Sequence, residues 1–233
     1  MATNERKYLC IHCVKPAKAL FKKSDGDFIK LYECSTCGKT VDRYVECEKS
    51  IIFMDMLLQE ITVYRHILFN ADNFTSQFYI KLAVSLILSE GYVRWSSISH
   101  HLSPDNGITN NEIYLYIMCL LTTIEIGVFA IVITGYSWIK FPSGPRPPIY
   151  VGLLLGQCGR LANIAAIVWY SGSCLSFKAL MLVFTFISSI QSNRAALHAG
   201  KLESFFLVTS ASSASLASFY LLQPLLLQKY HLQ

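Results

Sequence analysis

The chain has 233 residues, of which 53% are apolar and only 15% charged, with a mean hydropathy of +0.39 and a formal charge of +5. An ordinary soluble domain is less apolar and more charged, so the composition excludes a wholly water-exposed globule and points to a membrane protein. The charge is also segregated: residues 1–81 carry twelve of the twenty Lys and Arg and ten of the fifteen acids, leaving the rest almost uncharged.

The first seven residues, Met1 to Lys7, are polar, so no secretory leader is expected. Four of the eight cysteines form two pairs, Cys10-Ile-His-Cys13 and Cys34-Ser-Thr-Cys37, separated by twenty residues. Two C-x₂-C knuckles at that separation suit a tetrahedral four-thiolate site, for which zinc is the fitting metal. A secreted disulfide module would crowd its cysteines together, whereas Cys47, Cys119, Cys158 and Cys174 are scattered. A redox reading would need one pair at a helix start in a βαβ unit. A nucleic-acid reading would need a net basic domain, and here acids nearly balance Lys15, Lys18, Lys22 and Lys23, so no nucleic-acid partner is expected.

Between the knuckles, Asp25-Gly26 reads as a two-residue hairpin turn leading into a strand over Phe28–Glu33. Gly38 after Cys37 is free to take the positive φ that turns amides toward a sulfur. Its counterpart in the first knuckle is Val14, which predicts a less regular loop there. Residues 1–49 thus read as a zinc ribbon with too little apolar material to fold without its metal.

Residues 50–69 predict one helix, with Ser50 as N-cap and Asp55, Gln59, Thr62 and His66 along a narrow polar stripe. Such a helix must bury most of its circumference, under the ribbon or in the headgroup layer. Four to five spans follow, at about 74–93, 113–136, 149–170, 174–191 and 204–227. In 113–136, the central Glu125 costs about 2.5–3.5 kcal/mol on insertion scales, which the apolar residues around it offset. The span 149–170 carries Gly152, Gly156, Arg160 and Asn163 on one face, which must point into a bundle. A Glu125–Arg160 pair joining two helices is the favoured expectation, against a polar feature of a lipid path. The loop basic residues Lys140, Arg146, Arg194 and Lys201 place the ribbon in the cytosol, with Arg94 in a lumenal loop. The expected fold is therefore a mainly α-helical multi-span membrane protein, with a zinc-ribbon and amphipathic-helix domain over 1–70 and a bundle over 71–233.

Five segments carry a further resemblance. Tyr8-Leu-Cys-Ile-His-Cys, Tyr32-Glu-Cys-Ser-Thr-Cys-Gly, Val41-Asp-Arg-Tyr-Val-Glu-Cys-Glu, Ile51-Ile-Phe-Met-Asp-Met-Leu-Leu and Tyr64-Arg-His-Ile-Leu-Phe-Asn70 resemble the homology domain of the ARV family of endoplasmic-reticulum membrane proteins. The resemblance implies a role in sterol homeostasis, through uptake, trafficking and distribution into membranes, with effects on sphingolipid metabolism and glycolipid-anchor synthesis. It implies zinc at Cys10, Cys13, Cys34 and Cys37, and a family helix carrying Asp55, Tyr64, Arg65 and His66 at a surface or partner contact. Lipid-contacting residues are not implied. A non-enzymatic mediator with sterols or other membrane lipids as partners is the leading expectation. A regulatory subunit beside an ER lipid enzyme is the alternative. A lipid-modifying enzyme is the weakest, since the chain has no His-box, no His-x₄-Asp and no nucleophile with a plausible base.

Overall fold

The computed structural model describes residues 8–23, 29–71, 76–99, 108–142, 148–163 and 175–231. The turn at Asp25-Gly26, the Asn73-Phe-Thr75 sequon, His100 and His101, and the far end of the 149–170 segment lie outside these residues. The chain is mostly helical, with a small β region at its N-terminus.

Two antiparallel hairpins build the ribbon: β1 (Tyr8–Leu9) pairs with β2 (Pro16–Ala17), and β3 (Phe21–Lys23) pairs with β4 (Ile29–Leu31), Phe21 facing Leu31. Each hairpin leads into or out of a knuckle, and the two knuckles share one backbone plan. Cys10 N–H donates to Lys15 O and Val14 N–H to Cys10 O; Cys34 N–H donates to Lys39 O and Gly38 N–H to Cys34 O. Gly38 takes φ +69° as expected, and Val14 takes φ +63° despite its β-branched side chain. The irregular first knuckle expected from Val14 is absent: the loop imposes the left-handed conformation and Val14 carries the strain.

The helix expected over 50–69 is broken. It divides into α1 (Lys49–Leu57), α2 (Ile61–Arg65) and a wide π-helical turn, His66–Asn70. Gln59 sits at φ +61° and Glu60 is extended, so the chain turns between α1 and α2. Helix α1 starts after Glu48, leaving Ser50 inside the first turn.

Among the described residues, four long helices and one short one follow: α3 (Ser76–Ser99), α4 (Ile108–Lys140), α5 (Ile149–Gln157, continued by a 3₁₀ turn Cys158–Leu161), α6 (Leu175–Leu197) and α7 (Lys201–His231). Helix α4 packs on α3 and α7, and α5 packs on α6. Among the described residues, two helical stretches are long and apolar enough to cross a membrane, Glu112–Lys140 and Lys201–Gln228. Of the four to five expected spans, two thus qualify on their own among the described residues. Only 39% and 22% of their most apolar windows are buried, unlike the core helix of a soluble protein. Ile131 and Ile139 on α4 and Phe206 and Leu221 on α7 face outward, a surface that needs an apolar surround.

The α5–α6 contact is close because glycines face serines and alanines. A Cβ on Gly152 would lie 3.1 Å from Ala196 Cβ, and one on Gly156 3.0 Å from Ser189 Cα. The same face extends to Gly159, where a Cβ would meet Thr185 Oγ1 at 2.5 Å. Ser192 Oγ donates to Gly152 O and Ser189 Oγ to Gly156 O, so the serines satisfy carbonyls across the interface. Replacing Gly156 with Val should overpack the site by about 1–3 kcal/mol. Gly127, whose added Cβ meets nothing within 4 Å, should accept Ala silently. Thermal unfolding in detergent checks the contrast, and equal midpoints for the two variants would contradict it.

Candidate metal centre and the junction behind it

The two knuckles bring Cys10, Cys13, Cys34 and Cys37 together with all four Sγ atoms within 4.8 Å of one another. Cys10 Sγ lies 3.8 Å from Cys37 Sγ, and Cys13 Sγ 3.6 Å from Cys34 Sγ. A tetrahedral ion with sulfur ligands at about 2.3 Å requires sulfur–sulfur edges of about 3.8 Å, so the donor set fits a four-coordinate divalent metal. The thiols differ in their surroundings. Burial pushes Cys10 up to about 12, while the backbone N–H groups of Cys37 and Thr36 pull Cys34 down to about 6.

Behind the knuckles, Asp42 is fully buried and accepts from His66 Nδ1 at 2.7 Å, Asn70 Nδ2 at 2.7 Å and the Tyr44 backbone N–H at 2.9 Å. Asn70 also pairs with both backbone groups of Leu9, donating to its carbonyl and accepting from its N–H. Arg65 Nη1 donates to the carbonyls of Ile11 and His12, between the first two cysteines. Its charge thereby lies beside a ligand set that is net negative once metallated. The Tyr44 hydroxyl collects Asp55, Arg43 and Thr62 within 3.1 Å, joining the ribbon to both α1 and α2. Tyr64 is fully buried, and its hydroxyl sits 2.9 Å from both Gln59 Oε1 and Ser188 Oγ on α6.

The family-helix residues are therefore not gathered into one surface site. Tyr64 and His66 turn inward, and Arg65 and Asp55 tie the ribbon to its helices. The buried cluster that results runs from Ile11 and Tyr44 through Val63, Tyr64, Ile67 and Leu68 to Val151 and Leu155 on α5 and Ala195 and Ala196 on α6.

Within the bundle, Glu125 Oε1 lies 2.8 Å from Arg160 Nη2, and Glu125 Oε2 lies 2.6 Å from Arg94 Nη2. Arg94 also pairs with Glu90, its neighbour one turn back on α3, and Asn163 Nδ2 donates to the other Glu90 oxygen. Arg94 is thus no lumenal loop residue: α3 continues to Ser99 and aims it into the bundle.

A family model described as the Arv1-like family matches residues 9–192. The chain belongs to the Arv1-like family. A human protein named Protein ARV1 is 31% identical over 216 residues, covering 88% of this chain and 78% of its own length. Protein ARV 1 of Arabidopsis thaliana is 27% identical over 206 residues, covering 84% and 79% respectively. Protein ARV1 of Saccharomyces cerevisiae is 41% identical over 63 residues, 27% of this chain. No solved structure matches the chain. Arv1-like membership is consistent with the sterol-homeostasis role implied by the motifs.

For this Arv1-like chain, sequence reasoning missed Asp42, Tyr44 and Asn70 as junction residues, although all three lie inside the family motifs. It also missed Glu90 and Arg94, whose i, i+4 spacing on a helix was the available signal. Replacing Asp42 with Ala orphans the donors of His66 and Asn70 and should cost about 1–3 kcal/mol, read as faster hydrogen exchange over residues 8–71. Metal binding must displace thiol protons, and Cys10 holds its proton up to about 12. Zinc affinity should therefore fall as pH is lowered from 8 to 6, and a pH-independent affinity would show that the thiols are not the ligands.

Proposed function

We propose that this protein is a non-enzymatic, multi-span mediator of sterol distribution in the endoplasmic-reticulum membrane, with consequences for sphingolipid metabolism. In this reading, structural zinc at Cys10, Cys13, Cys34 and Cys37 holds a cytosolic ribbon against the membrane surface. The observation that carries it is the position of the ribbon at one end of an apolar bundle. There the end of α4, the start of α5, the end of α6 and the start of α7 converge. The basic residues Lys140, Arg194 and Lys201 belong to that same end, and Lys140 pairs with Glu203 at 2.5 Å, which favours the cytosolic side.

Helix α1 supports the surface role. Ile51, Phe53, Met54, Leu57 and Leu58 are all exposed, with Leu58 70% open to its surroundings. Such a helix suits the boundary between headgroups and acyl chains. The non-enzymatic reading draws on the junction chemistry: the Asp42 and Asp55 carboxylates, Arg65 Nη1 and His66 Nδ1 make ties between ribbon and helix. Sterols or other membrane lipids are the partners, delivered or received by the bundle.

In cells defective in sterol distribution, the intact chain should restore the normal pattern and Cys34→Ala should not. Indifference to that substitution would sink the model. A glycosylation acceptor inserted beside Pro104 should be modified in microsomes, while one inserted in the ribbon should remain bare; the opposite pattern would reverse the topology.

A further inference from the structure

A cavity of about 470 Å³ lies among α3, α4, α6, α7 and the 3₁₀ turn after α5, a volume in the range of small-molecule sites, roughly 300–1,000 Å³. Its walls are largely apolar, with Met118, Phe129, Met181, Phe186, Leu216 and Phe219 among them, and its polar lining joins the ion network to Gln157, Asn163 and several hydroxyl side chains. The charged lining residues are Glu90, Arg94, Glu125 and Arg160, so their formal charges cancel. Glu125 is fifteen residues along α4 from Lys140, about 22 Å at 1.5 Å per residue. The network therefore lies deep along a helix long enough to cross a bilayer.

The network leaves two donors over. Arg94 Nη1 and Arg160 Nη1 are buried and have no hydrogen-bond partner among the described residues. Burying N–H groups without an acceptor is unfavourable, and both of these belong to side chains lining one cavity. Arg94 is also fixed from the apolar side, its guanidinium carbon 4.2 Å from the centre of the Phe219 ring. Leu182 on α6 and Leu216 on α7 line the cavity and are exposed, which marks its mouth on the apolar outer surface.

We propose that this cavity binds one neutral membrane lipid by a free hydroxyl group. The hydroxyl oxygen accepts from the spare N–H groups of Arg94 and Arg160, and its proton is donated to a carboxylate of the network. The apolar body of the lipid lies against Met118, Phe129, Phe186 and Phe219 after entering sideways from the bilayer. A phosphate headgroup suits the site less well. The four network charges already cancel, so an added anion would enter a poorly solvated site without a spare cation. The inference rests on the lipid-handling reading above and specifies the pocket and the anchoring group.

Full-length protein in lipid nanodiscs is titrated with a radiolabelled sterol bearing its free hydroxyl. Competitors are the corresponding sterol ketone, ceramide and phosphatidic acid. One sterol or ceramide should bind per chain, the stronger of the two identifying the source. The ketone, which accepts but cannot donate, and phosphatidic acid should each compete roughly tenfold more weakly or worse. Met181→Trp and, from the facing helix, Leu216→Trp fill the cavity without touching the ion network. Each variant that keeps the native melting temperature should lose at least roughly tenfold in affinity. Phosphatidic acid competing as well as the sterol, native-strength binding by a folded cavity-filling variant, or no saturable binding to the native chain overturns the assignment. Failure here with successful complementation by the intact chain would remove the pocket and leave the sterol-distribution reading standing. Binding without complementation would do the reverse.

Discussion

A buried carboxylate holds the ribbon to the helices behind it. Asp42 is 0% exposed, and a carboxyl group in that position is tolerable only because three donors surround it. Two of those donors, His66 and Asn70, stand four residues apart on the wide turn that ends the α2 segment. The widened turn lets both side chains reach one acid, while Asn70 continues the β1 edge through Leu9. Around this polar centre, Ile11, Tyr44, Val63, Tyr64 and Ile67 exclude water. The low local dielectric strengthens each of the three bonds and raises the cost of losing any one.

The bundle solves a related problem with charges of both signs. Two glutamates and two arginines from α3, α4 and the turn after α5 pair within 2.6–2.9 Å, so no isolated ion has to be carried in an apolar environment. The glycine face of α5 makes this geometry reachable. Without side chains at Gly152, Gly156 and Gly159, the helix approaches α6 closely and directs Arg160 toward α4. The serines of α6 then serve backbone carbonyls instead of solvent.

Much of this was legible in the sequence where local pattern and local chemistry coincide. The cysteine spacing located the four-thiol cluster, Gly38 located a positive-φ turn, and long apolar runs located α4 and α7. The rest depends on contacts between distant segments. The polar stripe of Asp55, Gln59, Thr62 and His66 looked continuous because helical periodicity assumes an unbroken helix. In the structure, Asp55 and Thr62 meet at Tyr44 only because the chain breaks at Gln59. Arg94 looked like a loop residue because the apolar run ends before it, yet its partner Glu125 lies thirty-one positions away. Val14 shows the limit from the other side: residue preference argued against a turn that the knuckle enforces.

The shared core that joins Ile11 to Ala195 and Ala196 has a consequence for biosynthesis. The ribbon side of that core leaves the ribosome first, and α6 follows more than a hundred residues later. At a synthesis rate of about 5–20 residues per second, the interval is on the order of ten seconds. During it, Val63, Tyr64 and Ile67 have no α6 to cover them. A nascent chain in that state presents a sticky apolar face, at the moment when its four clustered thiols first come together. Early metallation would shorten the list of partners that face could wrongly engage, because a folded ribbon supplies Ile11 and Tyr44 as temporary cover. If the four thiols hold an ion, the order in which the chain is made favours loading it before the bundle closes.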